Sequence, residues 1–460
     1  MTEKELTPEE VLEKVKADNV HFMNLQFSDI LGAVKSLTIP VRHLETAFKY
    51  GIWFDGSSIQ GFMRICESDM VLKPDASTYA VIPWLSTDEQ NTARIICDVC
   101  MPDGAPFEGD PRFILRKILK EAEAMGYIYN TGPELEFFIL KNDSKNKENG
   151  NYRDNNNKIE PLSHDVGGYF DLNLDKAYEI RRDIVNALEK FGIEVEASHH
   201  EVAEGQHEID FKYGPALRTA DNALTFKFTV KAIAEKHGVY ATFMPKPIFR
   251  INGSGMHVHQ SLFDKNGNNV FYDEKDKYKL SKIAYGFIAG QLAHIKAIAA
   301  ITSPTVNSYK RLVPGYEAPV YICWGQINRS ALIRIPRYTK GKELSTRAEL
   351  RCPDPSCNPY LAFAVMLKAG LEGIKKNMLP PASVEENVYH FDDSKLKELN
   401  IDTLPYSLQQ ALKELKNDEV VKDALGKYTY EKYVEAKLEE WDEFRIYVTD
   451  WEIERYLKML

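Results

Sequence analysis

The segment Gly132-Pro133-Glu134-Leu135-Glu136-Phe137-Phe138-Ile139 alternates two carboxylates with large apolar side chains, and few folds can house such a run. Drawn out as a β-strand at about 3.4 Å per residue, it puts Glu134 and Glu136 on one face with Cα atoms roughly 6.8 Å apart. Leu135, Phe137 and Ile139 face the other way, so the strand is expected to be largely buried. Adjacent buried carboxylates need cations or strong hydrogen bonds to stay ionised. For this segment alone, the alternative is a solvated sheet edge.

The 460-residue chain has room for two or three domains at roughly 150 residues each. Thr7-Pro8-Glu9-Glu10 predicts a capped helix to about Lys16. Between Val20 and Met101, short β-type runs (Phe22–Phe27, Val34–Ile39, Arg94–Val99) are broken by Gly and Pro, which predicts a small α+β unit. Pro102-Asp103-Gly104-Ala105-Pro106 reads as a linker, and Asp110-Pro111 opens the helix of a second region. That region mixes strands (Leu135–Leu140, His257–Phe263) with helices (Asp183–Phe191, Ala284–Ala300, Asn358–Lys375), an order that favours α+β over a doubly wound sheet. Lys141 to Lys158 is a polar, asparagine-rich surface excursion, and Asn266-Gly267 predicts a hairpin turn. From Thr429 to Leu460 two aromatic-rich amphipathic helices are expected, separated near Thr449.

The net charge of −10 argues against nucleic acid or an anionic membrane as the main partner. No stretch approaches the ~20 uninterrupted apolar residues of a membrane span. The polar, acidic start resembles neither a signal nor a transit peptide, which predicts a cytoplasmic location. The six cysteines (Cys66, Cys97, Cys100, Cys323, Cys352, Cys357) form no disulfide framework. Cys97 and Cys100 fall in a predicted strand, facing opposite sides, so a structural reading outweighs a metal or redox one.

His199-His200-Glu201-Val202-Ala203-Glu204-Gly205-Gln206-His207-Glu208 arranges further ligand-type side chains around a glycine turn. Met256-His257-Val258-His259-Gln260-Ser261 projects His257, His259 and Ser261 from one strand face. Taken singly, a strand histidine is more often a hydrogen-bonded structural residue, and an acidic cluster can be plain surface. Taken together with Glu349, these segments offer five carboxylates and one imidazole, an oxygen-rich set that suits Mg²⁺ or Mn²⁺ better than a closed zinc site. Arg311, Arg329, Arg334, Arg347 and Arg351 supply positive charge, and metals with arginines are what phosphoryl transfer requires. Neither a P-loop nor a G-x-G-x-x-G turn is present.

These residues lie in runs that resemble glutamine synthetase of the prokaryotic type I class along nearly the whole chain. The runs are Phe54-Asp55-Gly56-Ser57-Ser58, Gly132–Phe138, His199–Ala203, Asn252–His259, Lys310–Pro319, Asn328-Arg329-Ser330 and Glu349–Pro355. The resemblance implies a small β-grasp-like N-terminal domain (17–103) followed by a large catalytic domain (108–460) with a curved antiparallel sheet and helices. It also implies a homo-oligomer, a dodecamer of two hexameric rings, with the helices of about 431–460 docking on the opposite ring. The activity implied is ATP-dependent ligation of ammonia to the γ-carboxylate of glutamate through γ-glutamyl phosphate, the step of nitrogen assimilation. Two or more Mg²⁺ or Mn²⁺ ions per site would assist.

By the same resemblance, Glu136, Glu201 and Glu208 would hold one metal, and Glu134, His257 and Glu349 the second. ATP would lie near Glu196, Tyr213, His259 and Ser261, with Arg329 and Arg334 on the transferring phosphoryl group. Glutamate would meet Asn252, Gly253, Arg311 and Arg351. Asp55, from a neighbouring subunit, would bind and deprotonate ammonium, and Glu317 on the Val313–Pro319 loop would accept the proton as the loop excludes water.

Two rivals are weaker. A γ-glutamylpolyamine or related amide synthetase on the same scaffold is disfavoured by Asp55 and Glu317, and a non-catalytic structural relative by the intact ligand set. The segment around Tyr389 does not resemble the adenylylation segment of enterobacterial-type enzymes, so Tyr389 is expected to be unmodified. Arg64 resembles the arginine of glutamine feedback in the alpha subtype and reads equally well as a surface ion pair. A PII-type regulatory protein is a further partner known among relatives, but no motif here establishes it.

Overall fold

Helix α1 (Pro8–Ala17) begins as expected, with Thr7 and Glu10 exchanging side-chain and backbone hydrogen bonds in a capping box. The computed structural model describes residues 5–57, 59, 61, 69–87, 89–141, 160–162, 165–316 and 318–460. Arg64, Cys66, Glu317 and nearly all of the asparagine-rich excursion lie outside the described residues. After α1 come β1 (Val20–Ser28), β2 (Val34–Pro40), α2 (Leu44–Tyr50), β3 (Ile52–Asp55), β4 (Asp69–Pro74), β5 (Ala80–Val81) and β6 (Asn91–Cys100). They form a sheet in the order β2-β1-β6-β4-β3, with β5 also on β6, and among the described residues only the β1–β6 pair is parallel. Cys97 and Cys100 are buried free thiols in β6.

The second region runs through α3 (Pro111–Ala124), β7 (Ile128–Lys141), α4 (Tyr178–Lys190), β8 (Val195–His200), β9 (Gln206–Phe211), β10 (Gly214–Pro215), α5 (Ala216–Lys236), β11 (Val239–Thr242) and β12 (Met256–Phe263). It continues with α6 (Lys282–Thr302), α7 (Ser308–Arg311), β13 (Trp324–Gly325), β14 (Ile333–Arg334), β15 (Ala348–Leu350), α8 (Pro359–Lys375), α9 (Asp393–Glu398), α10 (Leu408–Lys416), α11 (Glu419–Ile446) and α12 (Asp450–Tyr456). The sheet order is β13-β14-β15-β12-β7-β9-β8, with β10 and β11 also pairing with β7. The expected antiparallel sheet is corrected in one place: β13 and β14 run parallel, so the sheet is mixed.

β7 is the hub. Leu135, Phe137 and Ile139 are fully buried in a core shared with α3, α4 and α5. Phe138 and Leu140, on the opposite face, form a small separate cluster with Ala203. Behind the sheet, α6 crosses α8 so closely that a Cβ on Gly373 would lie 2.0 Å from the Gly286 carbonyl oxygen. α6 is long and apolar enough to cross a membrane by length and composition alone, but most of its apolar window is buried here.

Arg112, the second residue of α3, ties the two regions together. Its guanidinium donates to Asp75 (2.7 Å) and Asp98 (2.6 Å) of the N-terminal region and to Asp221 of α5 (3.0 and 2.9 Å). Tyr360 of α8 donates to the same Asp221 at 2.6 Å. Burial disfavours charge on Asp75, but Arg112, Ser77 and Arg116 outweigh it and hold the carboxyl at about 2. A folded-state pKa below the unfolded value stabilises the fold above that unfolded value, and this contribution disappears as pH falls through both. Denaturant unfolding should therefore lose about 2 kcal/mol from this group between pH 4 and 2, and Asp75→Asn should lack that part of the slope. A variant with an unchanged acid slope would contradict the clamp.

Candidate functional site

Strand register assembles the cleft. In the β7–β12 pair Glu134 lies opposite His257, and in the β7–β9 pair Glu136 lies opposite Glu208 and Glu134 opposite Asp210. β15 adds Glu349 opposite His259, and β14 adds Arg334 opposite Glu349. Glu201 follows β8 directly, its backbone N–H donating to Gln206 O at 2.8 Å across the turn. A cleft of about 660 Å³ is lined by Glu134, Glu136, Glu201, Glu208, Asn252, Gly253, His257, Arg311, Arg329, Arg334, Glu349 and Arg351. Two glycines make room: a Cβ on Gly253 would sit 2.1 Å from Pro245 O, and one on Gly255 would sit 2.5 Å from Arg311 Nη2.

The two halves of this acidic face differ in electrostatics. Glu349, almost wholly buried, accepts from Arg334 (2.9 Å) and Arg351 (2.7 Å); burial works against its charge, but Arg351, His259 and His257 outweigh it and lower its pKa. Burial also works against Glu134, but His257 and His259 keep its carboxyl far below the usual range, with His259 Nε2 at 2.7 Å. Arg347 Nε donates to His259 Nδ1 at 3.0 Å, completing that chain. On the other side, burial and then the nearby Glu201 push Glu136 up to about 8, despite Arg311 and two hydrogen bonds, from Gln206 Nε2 (2.7 Å) and Gly255 N (2.9 Å). Glu208 is raised by burial and by Glu136. Arg311 eases this half through its charge rather than through a hydrogen bond, because its N–H groups go to the carbonyls of Cys352 (2.8 Å), Pro353 (3.2 Å) and Arg351 (3.3 Å).

Ligand atoms of Glu134, His257 and Glu349 come within 4.8 Å of one another, as do those of His199, Glu201 and Glu208. The crowded carboxylates of Glu136, Glu201 and Glu208, together with the buried unpartnered Oδ1 of Asp210, fit hard divalent ions such as Mg²⁺ or Mn²⁺. Sequence reasoning missed His199, whose Nε2 lies 3.1 Å from Glu201 Oε1 and 3.6 Å from Glu208 Oε1. It also missed Asp210. In both cases the signal was the two-residue alternation from Glu201 and Glu208. Tyr169 and Tyr389 also line the cleft.

Four residues expected around ATP are not among the cleft lining: Glu196 is exposed on β8, Tyr213 is exposed before β10, Ser261 is buried in β12, and His259 stands beside Glu134. Asp55 is exposed at the end of β3, its Oδ1 accepting from Ser57 N at 2.8 Å, and it too is absent from the lining.

Residues 108–456 match the family model of the glutamine synthetase catalytic domain, and residues 19–102 that of the glutamine synthetase β-grasp domain. The chain belongs to the glutamine synthetase family. It is 55% identical to a glutamine synthetase of Thermotoga maritima over 98% of this chain and 100% of that one. A glutamine synthetase of Methanosarcina mazei is 54% identical over 99% of this chain and 98% of its own. Among solved structures, one titled GmaS/ADP complex superposes with a TM-score of 0.86 at 30% identity, covering 97% of this chain and 99% of that one. This family uses ATP and divalent metals, and the β-grasp plus mixed-sheet architecture is the family's own.

Glu349 is the residue through which both arginines and His257 converge. Glu349→Gln is expected to lower kcat at least ~100-fold with little change in thermal unfolding. Wild-type turnover in that variant would show that the convergence is incidental.

Proposed function

We propose that this cleft is where the chain, an ATP-dependent glutamate–ammonia ligase, joins ammonia to the γ-carboxylate of glutamate. The observation that carries the reading is the strand register, which gathers carboxylates, imidazoles and arginines on one face of one sheet. Glu136, Glu201 and Glu208 would hold one divalent ion, and Glu134, His257 and Glu349 a second. When bound, such ions supply charge neutralisation on the phosphate oxygens.

A carboxylate is a poor electrophile, so the γ-carboxylate oxygen first takes the terminal phosphoryl group of ATP, giving γ-glutamyl phosphate and ADP. Ammonia then attacks the acyl carbon, phosphate leaves, and a proton is lost from nitrogen. Arg329 and Arg334 would stabilise the phosphoryl group in transfer, as planar cations suited to phosphate oxygens. Asn252 and Gly253 would orient glutamate with Arg351. Arg311, with its N–H groups committed to carbonyls, would act on glutamate through its charge. Glu196, Tyr213, His259 and Ser261 would border the nucleotide.

Asp55 would reach the site of a neighbouring subunit, where ammonium is bound, and Glu317 would accept its proton. The exposed apolar surface of Ile446, Tyr447, Val448, Trp451 and Leu457 supports docking of the C-terminal helices in a dodecamer of two hexamers. The division at 17–103 and 108–460, a cytoplasmic location and a PII-type partner belong to the same reading, as does feedback at Arg64. Tyr389 is half-buried and its hydroxyl donates to Ala318 O at 2.8 Å, which supports an unmodified tyrosine.

Phosphate release from ATP with Mg²⁺ should depend on glutamate and ammonium together, should not respond to polyamines, and should vanish in Glu136→Ala. Mixed oligomers of Asp55→Ala and Glu136→Ala chains should regain roughly a quarter of wild-type turnover if each site draws on two subunits. Turnover supported by polyamines, or mixtures as inactive as their parents, would refute the corresponding part.

A further inference from the structure

His200 and His207 alternate with the cleft ligands: each directly precedes one of Glu201 and Glu208 on the β8–β9 hairpin, and each points away from the cleft into a buried pocket. Their rings lie edge to face with centroids 4.7 Å apart. Asp165 sits between them, its Oδ2 3.0 Å from His207 Nε2 and its Oδ1 3.3 Å from His200 Nε2. All three side chains are at most 1% exposed. One aspartate and two histidines at this spacing have the composition of a cation site, but the hydrogen bonds assign them otherwise.

His200 Nδ1 lies 2.6 Å from the Glu201 carbonyl oxygen, and its Nε2 faces the carboxylate and carbonyl of Asp165. Both partners are acceptors, so both ring nitrogens carry protons. His207 Nδ1 lies 3.0 Å from Arg181 Nη1, which can only donate, so His207 accepts there and donates from Nε2 to Asp165. Asp175 holds Arg181 in turn with two bonds, at 2.8 and 2.5 Å. Asp165 Oδ1 also accepts from Lys176 N (2.9 Å), and its carbonyl accepts from Gly205 N (3.0 Å) at the hairpin turn. No ring nitrogen is left with a lone pair for a metal ion.

We infer that Asp165 is a positioning residue: through His200, His207 and the Gly205 turn it sets the spacing of Glu201 and Glu208, and so tunes the metal ion those two carboxylates share with Glu136. The inference rests on the metal reading above. The network touches the backbone of Glu201 and the residue beside Glu208, and makes no bond to Glu134, His257 or Glu349. In Asp165→Asn the amide can accept from only one of the two imidazoles. The other meets an N–H donor and must change tautomer or turn, and for His207 a changed tautomer would set an N–H against Arg181. Loss of such an outer support typically weakens metal binding by about 10–100-fold.

The test is a titration of metal-free protein with Mn²⁺, free ion being followed by electron paramagnetic resonance, for wild type and Asp165→Asn. Wild type should bind in two classes per chain. The variant should weaken one class by about 10–100-fold and leave the other within about twofold, with near-wild-type thermal unfolding. If Asp165→Asn does not accumulate as folded protein, His207→Phe, which keeps a ring but loses both hydrogen bonds, should give the same split. Equal weakening of both classes, or of neither, overturns the inference while leaving the metal reading intact. A wild type that binds no Mn²⁺ overturns both.

Discussion

Carboxylates crowded on one face of a buried sheet repel one another, and much of this structure can be understood as the means of tolerating that repulsion. β7 can carry Glu134 and Glu136 only because Leu135, Phe137 and Ile139 anchor its reverse face in the core, while β9, β12 and β15 bring further charged groups into register. The chain compensates half of the cluster itself. His257, His259 and Arg351 hold Glu134 and Glu349 ionised. Around Glu136 and Glu208 it supplies too little positive charge, and burial drives both carboxyls upward. A protein that keeps such an imbalance in a cleft has built a place for cations from outside.

Tolerating the repulsion also demands a stiff scaffold. The α6–α8 crossing packs backbone against backbone at Gly286, Gly290 and Gly373, and Gly370 makes room for the Phe287 ring. Arg112 binds acidic groups from both regions, so a buried guanidinium on α3 ties Asp75 and Asp98 of the N-terminal region to Asp221 of α5. The C-terminal segment from Ile446 onward leaves Ile446, Tyr447, Val448, Trp451 and Leu457 exposed.

The locally encoded parts of the fold were legible in the sequence. Thr7, Asp110 and Asn358 cap the helices they were expected to open, and Thr449 caps α12 where a break was expected. The sequence predicts a start for α4 at Asp183, whereas the helix starts at Tyr178, because its N-cap, Ala177, makes no side-chain cap bond and so leaves no signal. Pairing across the sheet was not legible, since nothing local in Glu349 indicates that it lies opposite His259. The family runs supplied that long-range information, and the structure gathers the same six carboxylate and imidazole groups. His199 and Asp210 escaped because the runs drew attention to the glutamates and away from residues two positions from them. The parallel β13–β14 pair escaped because strands of two residues carry no periodicity.

The central claim is that divalent ions complete the acidic face of the sheet, and diffraction from crystals soaked in Mn²⁺, recorded at the manganese edge, addresses it most directly. The account predicts two anomalous peaks per chain, one bounded by Glu134, His257 and Glu349 and the other by Glu136, Glu201 and Glu208, with none at Asp165, His200 and His207. A bare cleft, or a manganese ion seated between those two histidines, would contradict it.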